Sequence, residues 1–305
     1  MASLETNGTR IAYQQFGEGP DLIMVHGLAA NRAFWFTGLA PLLRDHFRLT
    51  LYDLRGHGYS AMPETGYSSS SQAEDLAALL DHLGIDKAPI VAHSFGGAVA
   101  LEFAVKYPDR VSHLALLDAK INRLQPTLKL SDCAHLTPFE QELVAEATDI
   151  DWEAEDQIGL KFLEAVAERR LAGIQTEVQN DFVPFADRRG NGRDAKHWLK
   201  LLRETTAKEE FLSTSGTSPE QIATLPMPVL LMYGEYSRVQ KSGERLRELL
   251  PRAEYVLVPN AGHFFPARSP RVVLKSLKPF LGLASHTDEA SSPASHIHVA
   301  ASPFP

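Results

Sequence analysis

The chain has 305 residues, of which 44% are hydrophobic and 22% charged, and a formal net charge of -8. That length can bury a substantial core, and the composition is that of an ordinary globular protein. The acidic balance, with no basic stripe carrying interleaved aromatics, argues against nucleic acid as a partner, and the single cysteine, Cys133, excludes an intrachain disulfide and a cysteine-based metal cluster.

The opening residues, Met-Ala-Ser-Leu-Glu-Thr-Asn-Gly, have neither the basic segment nor the apolar run of a secretory signal, and no 18-residue apolar stretch follows that could span a membrane. A cytoplasmic location is the expectation. Residues 9–16 alternate as a half-exposed strand does, and Gly17 to Pro20 is turn chemistry. Leu22 to Val25 is a short apolar run stopped by His26-Gly27, the pattern of a buried strand entering a loop. A helical spacing through Trp35, Leu39, Leu42 and Leu43 comes next, then a strand from Phe47 to Tyr52 ending in Asp53-Leu54-Arg55-Gly56-His57-Gly58-Tyr59-Ser60. From Ser70 to Leu83 the spacing is again helical, and Gly84 stops it.

Ile90-Val91-Ala92-His93-Ser94-Phe95-Gly96-Gly97 reads as strand, sharp turn and helix, with a serine at the apex. Small residues flank the apex because strand and helix must approach closely there. The usual Gly-x-Ser-x-Gly appears as Ala92-His93-Ser94-Phe95-Gly96. Val111 to Leu117 forms a further strand, ending on Asp118. Strands alternating with amphipathic helices predict an α/β fold with a mostly parallel sheet covered on both faces.

After Asp118 the alternation stops. Residues 120–222 show no strand pattern but helical spacings near 139–147, 156–172 and 195–212, with an exposed loop expected at 187–194. This segment is predicted to be a helical lid inserted into a core formed by residues 1–119 and 223–283. Strand character returns at 226–233 and 254–258, helices are expected at 242–250 and 270–281, and Asn260-Ala261-Gly262-His263 follows the last strand. Residues 284–305, rich in Ser, Ala, Pro and His, read as a disordered tail. Its His286, His296 and His298 read as solvated histidines rather than metal ligands.

A serine hydroxyl attacks a carbonyl at neutral pH only if a base takes its proton, a third group holds the base, and donors await the oxyanion. Ser94 is the candidate nucleophile, and His263 the candidate base. The backbone amides of Phe95 and Leu28 are the candidate oxyanion donors. The order of these motifs closely resembles the α/β-hydrolase superfamily over residues 8–282. The serine at the nucleophile position sets the chain apart from members that use an aspartate, such as epoxide hydrolases.

Many members of that superfamily carry the acid in a Gly-x-x-Asp segment after the strand following the lid. Here the segment is Gly234-Glu235-Tyr236-Ser237, and serine stands at the acid's position. Two replacements are open: Glu235, two residues early, and Asp118, at the end of the strand after the serine's helix. Asp118 is preferred. Asp53, Arg55 and His57 resemble the family's structural turn and are expected to be hydrogen-bonding scaffold, as is His26. His93 and Trp35 are assigned to the pocket wall, although Phe34, Trp35 and Phe36 would serve plain packing equally well. Trp152, Phe162, Phe182, Phe185 and Trp198 are further candidates to face substrate, although packing of the helices within the lid explains most of them equally well.

The expectation is a serine hydrolase without metal or cofactor, cleaving a carboxylic ester or lactone of a medium or bulky small molecule. A thioesterase, a carbon-carbon bond hydrolase, a cofactor-free dioxygenase and a non-enzymatic ligand receptor are the competing readings. The sequence does not specify oligomeric state.

Overall fold

The computed structural model describes residues 2–133, 135–174 and 192–283. The predicted tail, Phe182, Phe185 and most of the predicted 187–194 loop lie outside the described residues.

Among the described residues eight strands form one sheet: β1 (Ala2–Thr6), β2 (Thr9–Phe16), β3 (Asp21–Val25), β4 (Arg48–Tyr52), β5 (Ala88–His93), β6 (Val111–Leu117), β7 (Val229–Gly234) and β8 (Glu254–Val258). Their spatial order is β1-β2-β4-β3-β5-β6-β7-β8. β1 and β2 pair antiparallel, as do β2 and β4; every other neighbouring pair is parallel. The parallel strands therefore all deliver their C-terminal ends to one edge.

Twelve α-helices accompany them among the described residues. α1 (Ala33–Phe36), α2 (Ala40–Leu43), α3 (Ser69–Leu83) and α4 (Phe95–Lys106) lie between β3 and β6 in sequence. Between β6 and β7 come α5 (Pro138–Glu146), α6 (Ile158–Leu171), α7 (Arg193–Glu204), α8 (Ala207–Leu212) and α9 (Pro219–Ile222). α10 (Gln240–Leu249) lies between β7 and β8, and α11 (Phe265–Arg268) and α12 (Pro270–Phe280) come after β8.

β3 shows why the central strands are continuously apolar. Ile23 and Val25 enter the cluster on one face of the sheet, Leu22 and Met24 the cluster on the other, and all four are buried. With helices on both faces, a strand has no solvated side on which a polar residue could sit.

Three elements differ from the sequence reading. β1 was not anticipated, although Asn7-Gly8 supplies its hairpin turn: both have positive φ, 48° and 70°, as a two-residue turn between right-twisted strands requires. The helical pattern through Trp35 and Leu43 is two short helices, interrupted at Gly38, where a Cβ would lie 2.7 Å from the Pro266 carbonyl. The 195–212 helix breaks at Thr205, whose extended backbone separates α7 from α8.

Among the described residues, the regular elements between β6 and β7 are all helices, joined by loops and turns, with one isolated bridge between Leu128 and Gln157. Polar ties bind it to the sheet domain. The Glu210 carboxylate accepts from the Gly66 and Ser68 amides, both at 2.9 Å. Across the same boundary, Glu102 accepts from the amide and hydroxyl of Thr217, each at 2.8 Å.

Candidate active site

β5 ends at His93, and Ser94 turns the chain into α4 with φ 56° and ψ -125°, a backbone conformation that costs a non-glycine residue about 1–3 kcal/mol. Close packing holds it there. A Cβ on Gly96 would stand 2.3 Å from the His26 carbonyl, and one on Gly97 would stand 2.4 Å from Ala119 Cβ. Glycine at both positions lets the first turn of α4 press against the ends of β3 and β6. Ala92, in place of the motif's first glycine, is a fully buried strand residue whose methyl the core accommodates. Gly27 plays a similar part from the other side: its Cβ would meet Ser94 Cβ at 2.8 Å, so glycine brings the 26–29 loop against the serine.

His263, in the loop after β8, stands with Nε2 3.0 Å from Ser94 Oγ and Nδ1 2.6 Å from Asp118 Oδ2. A carboxylate only accepts, so Nδ1 carries the proton and Nε2 is left to accept from the serine hydroxyl. Asp118 is fully buried just past β6, itself at positive φ (51°). Its Oδ1 accepts from the Gly234 amide at 2.8 Å, and Oδ2 accepts a second bond from Ser237 Oγ. The serine at the usual acid position therefore grips the carboxylate that lies elsewhere. Glu235 is exposed and turns away, accepting from the Asn260 amide at 2.7 Å.

The amide of Phe95, directly after Ser94, and that of Leu28, directly after the Gly27 that packs on Ser94, donate to no acceptor among the described residues. His93 is buried and stacked on Phe34 at 4.7 Å; its Nε2 donates to the His263 carbonyl at 2.9 Å, tying strand β5 to the histidine loop. Burial and the neighbouring His263 hold the His93 pKa well below the usual histidine value.

A cavity of about 490 Å³ opens over Ser94 and His263, between the sheet edge and the inserted helices. Leu28, Phe34, Phe95 and His93 line its floor, and Leu143, Leu160, Phe162 and Phe211 line the insertion side. Trp35 does not reach the cavity, contrary to expectation: it is buried in the core cluster it shares with Phe34, and of the two only Phe34 lines the cavity. Phe36 is partly exposed and stacks on Phe16 at 5.0 Å. Of the three expected substrate-facing aromatics among the described residues, Phe162 lines the cavity, while Trp152 and Trp198 pack among the helices. Arg238 extends into the cavity wall, paired with Glu140 and stacked 4.9 Å above the Phe162 ring. Burial lowers its pKa.

Beside this site lies a closed polar frame. Asp53 accepts from the Arg32 amide at 2.8 Å and the Tyr59 amide at 2.9 Å, and pairs with the Arg32 guanidinium. Arg55 makes a bidentate pair with buried Asp75, at 2.8 and 2.7 Å. His26 Nε2 accepts from the Leu54 amide at 3.0 Å while Nδ1 donates to the Gly27 carbonyl; His57 Nε2 accepts from the Ala29 amide at 3.3 Å while Nδ1 donates to the Arg55 carbonyl. Both rings are thereby fixed neutral. Burial lowers the His26 pKa to about 4, and burial and the neighbouring His26 lower that of His57 to about 3.

Among the described residues no group of three or more metal-ligating side chains occurs, and no helix is long and apolar enough to cross a membrane. The sequence profile of the alpha/beta hydrolase fold matches residues 20–267. The 2-(acetamidomethylene)succinate hydrolase of Mesorhizobium japonicum is 28% identical over 270 residues, which cover 87% of this chain and 89% of that protein. The pimeloyl-[acyl-carrier protein] methyl ester esterase of Aeromonas hydrophila is 26% identical over 291 residues, covering 89% and 99%. Among solved structures, the enol-lactonase of Burkholderia xenovorans superposes with a TM-score of 0.63 at 20% identity, over 92% of this chain and 100% of that one.

Proposed function

The chain belongs to the α/β-hydrolase family, and from that premise we propose that it is a serine hydrolase acting on a carboxylic ester or lactone through an acyl-enzyme. The observation that carries this reading is the continuous relay Ser94 Oγ to His263 Nε2 at 3.0 Å and His263 Nδ1 to Asp118 Oδ2 at 2.6 Å, opening onto the cavity.

Ser94 Oγ attacks the carbonyl carbon as His263 Nε2 takes its proton, and Asp118 stabilises the imidazolium that forms. The negative charge moves to the carbonyl oxygen, which the Leu28 and Phe95 amides receive. Collapse breaks the carbon-oxygen bond to the alcohol, which leaves with the proton from Nε2; in a lactone the alcohol stays tethered to the acyl group. Water then attacks the acyl-enzyme, gives its proton to the same nitrogen, and releases the acid and the free serine. A mainly apolar cavity of about 490 Å³ suits a medium-sized small molecule better than a polymer.

Two measurements test this. A fluorophosphonate should label wild-type protein at Ser94 and leave Ser94→Ala unlabelled, and turnover of 4-nitrophenyl esters should vanish in the same variant. Folded protein that is neither labelled nor active would sink the proposal.

A further inference from the structure

Lys120 is the second residue after Asp118, where the chain leaves the sheet for the inserted helices. Its amide donates to the Ser94 carbonyl at 3.3 Å, and its side chain lines the cavity together with Ser94 and Asn122. An ammonium has three donors and no acceptor. Here two neutral oxygens take two of them: Asn122 Oδ1 at 2.9 Å and the Gln125 carbonyl. No carboxylate among the described residues forms an ion pair with it. Arg238, in the same cavity wall, is paired with Glu140.

A largely buried cation held only by neutral groups carries a desolvation cost that an ion pair would offset. Burial lowers the Lys120 pKa to about 8, with no neighbouring charge contributing, so the group is still mostly protonated at neutral pH. Lys120, Asn122, Phe95 and Phe211 also border a smaller recess of about 30 Å³ on their far side. That recess is far too small for a substrate, which leaves the main cavity as the place from which an anion could reach the lysine.

We infer that Lys120 anchors a free carboxylate on the substrate, so that the site selects esters or lactones bearing a second, ionised carboxyl group. This rests on the serine-hydrolase reading for the reaction, but not for the binding. A carboxylate that displaced or joined the Asn122 contact would form a charge-assisted hydrogen bond to Lys120 Nζ and restore the missing pairing.

The test compares 4-nitrophenyl half-esters of adipate and suberate with neutral 4-nitrophenyl esters of the same chain length. Wild type should favour the half-esters. In Lys120→Met, which keeps the apolar stem, the ratio of kcat/KM for half-ester over neutral ester should fall about 30-fold; Lys120→Arg should hold it within about 3-fold. A ratio unchanged in Lys120→Met overturns the inference, including the case in which both substrates slow together because the lysine merely ties residues 120–125. Calorimetry with adipate on Ser94→Ala, with and without Lys120→Met, separates the two claims. Adipate bound by Ser94→Ala and lost on adding Lys120→Met supports the anchor even if no ester is turned over. Equal binding to both proteins, or binding to neither, overturns it.

Discussion

Two neighbouring regions at one sheet edge use the same parts to opposite ends. Each has a fully buried aspartate just past a strand, Asp53 after β4 and Asp118 after β6, and each has histidine with both ring nitrogens engaged. In the frame around Asp53, every partner is fixed: amides and a guanidinium on the carboxylate, and for His26 and His57 a backbone carbonyl at one nitrogen and a backbone amide at the other. Protonating either ring would set two donors face to face. Around Asp118 the histidine's far nitrogen meets a hydroxyl instead, at the wall of a cavity. A hydroxyl can release its proton where an amide cannot, and that one substitution of partner fits the arrangement at Ser94 to the proton transfer proposed above, whereas the frame around Asp53 can only brace.

The sharpest way to break this contrast is at Asp118. Asp118→Asn should cut kcat by about 10⁴-fold, because the amide can present its donor to Nδ1 and favour the wrong tautomer, while the fold persists. Restoring a carboxylate from the next strand should recover part of that loss. Ser237 already reaches Oδ2 of Asp118, so Asp118→Asn with Ser237→Asp should regain at least about 10-fold over the single variant. Steady-state kinetics on one 4-nitrophenyl ester, with far-UV circular dichroism to establish folding, decides it. An Asp118→Asn enzyme within about 10-fold of wild type would return attention to Glu235 or to a chemistry without the relay.

The closed frame makes the opposite prediction, on stability rather than turnover. His26 and His57 are neutral when folded and take up protons below about pH 6.5 when unfolded. Stability is therefore fully present above pH 6.5 and falls as pH drops toward 4 for His26 and toward 3 for His57. His26 alone accounts for about 3 kcal/mol of that loss. Urea unfolding at pH 7.5, 6 and 5 should show the decline, and His57→Gln should show a shallower one. Identical slopes in the two proteins would mean that the His57 ring is not held neutral.

How much of this was legible beforehand depends on whether local pattern or distant packing decided the outcome. The serine turn could be read because a strand, small residues and a helix are all local, and Gly96 and Gly97 are required by contacts that any such turn makes. The His263 loop was legible for the same reason. The choice between Asp118 and Glu235 was not local: chain direction after β7 points residue 235 to solvent and 237 inward, and periodicity stops at the strand end. Trp35 was misplaced because a four-residue helix is too short to fix its own phase, and consecutive side chains there point about 100° apart. Ser237 registered only as a lost acid, since its bond to Asp118 spans 119 positions.

That bond supplies the smallest expected effect and the finest test of the comparison. Asp53 is held by amides and a cation, whereas Asp118 has one amide, one hydroxyl and the histidine, so among the described residues Ser237 is the one side chain besides His263 that fixes the carboxylate. Ser237→Ala leaves two of three donors, and should lower kcat about 5- to 10-fold, the worth of one hydrogen bond to a charged group partly offset by the two that remain. Because the lost group touches no substrate, KM should stay near its wild-type value. Ser237→Thr, which keeps the hydroxyl, should recover most of the rate if the extra methyl is accommodated. A fall in KM and kcat together, or no rescue by threonine in a folded protein, would make Ser237 part of the packing behind β7 rather than a brace for the acid.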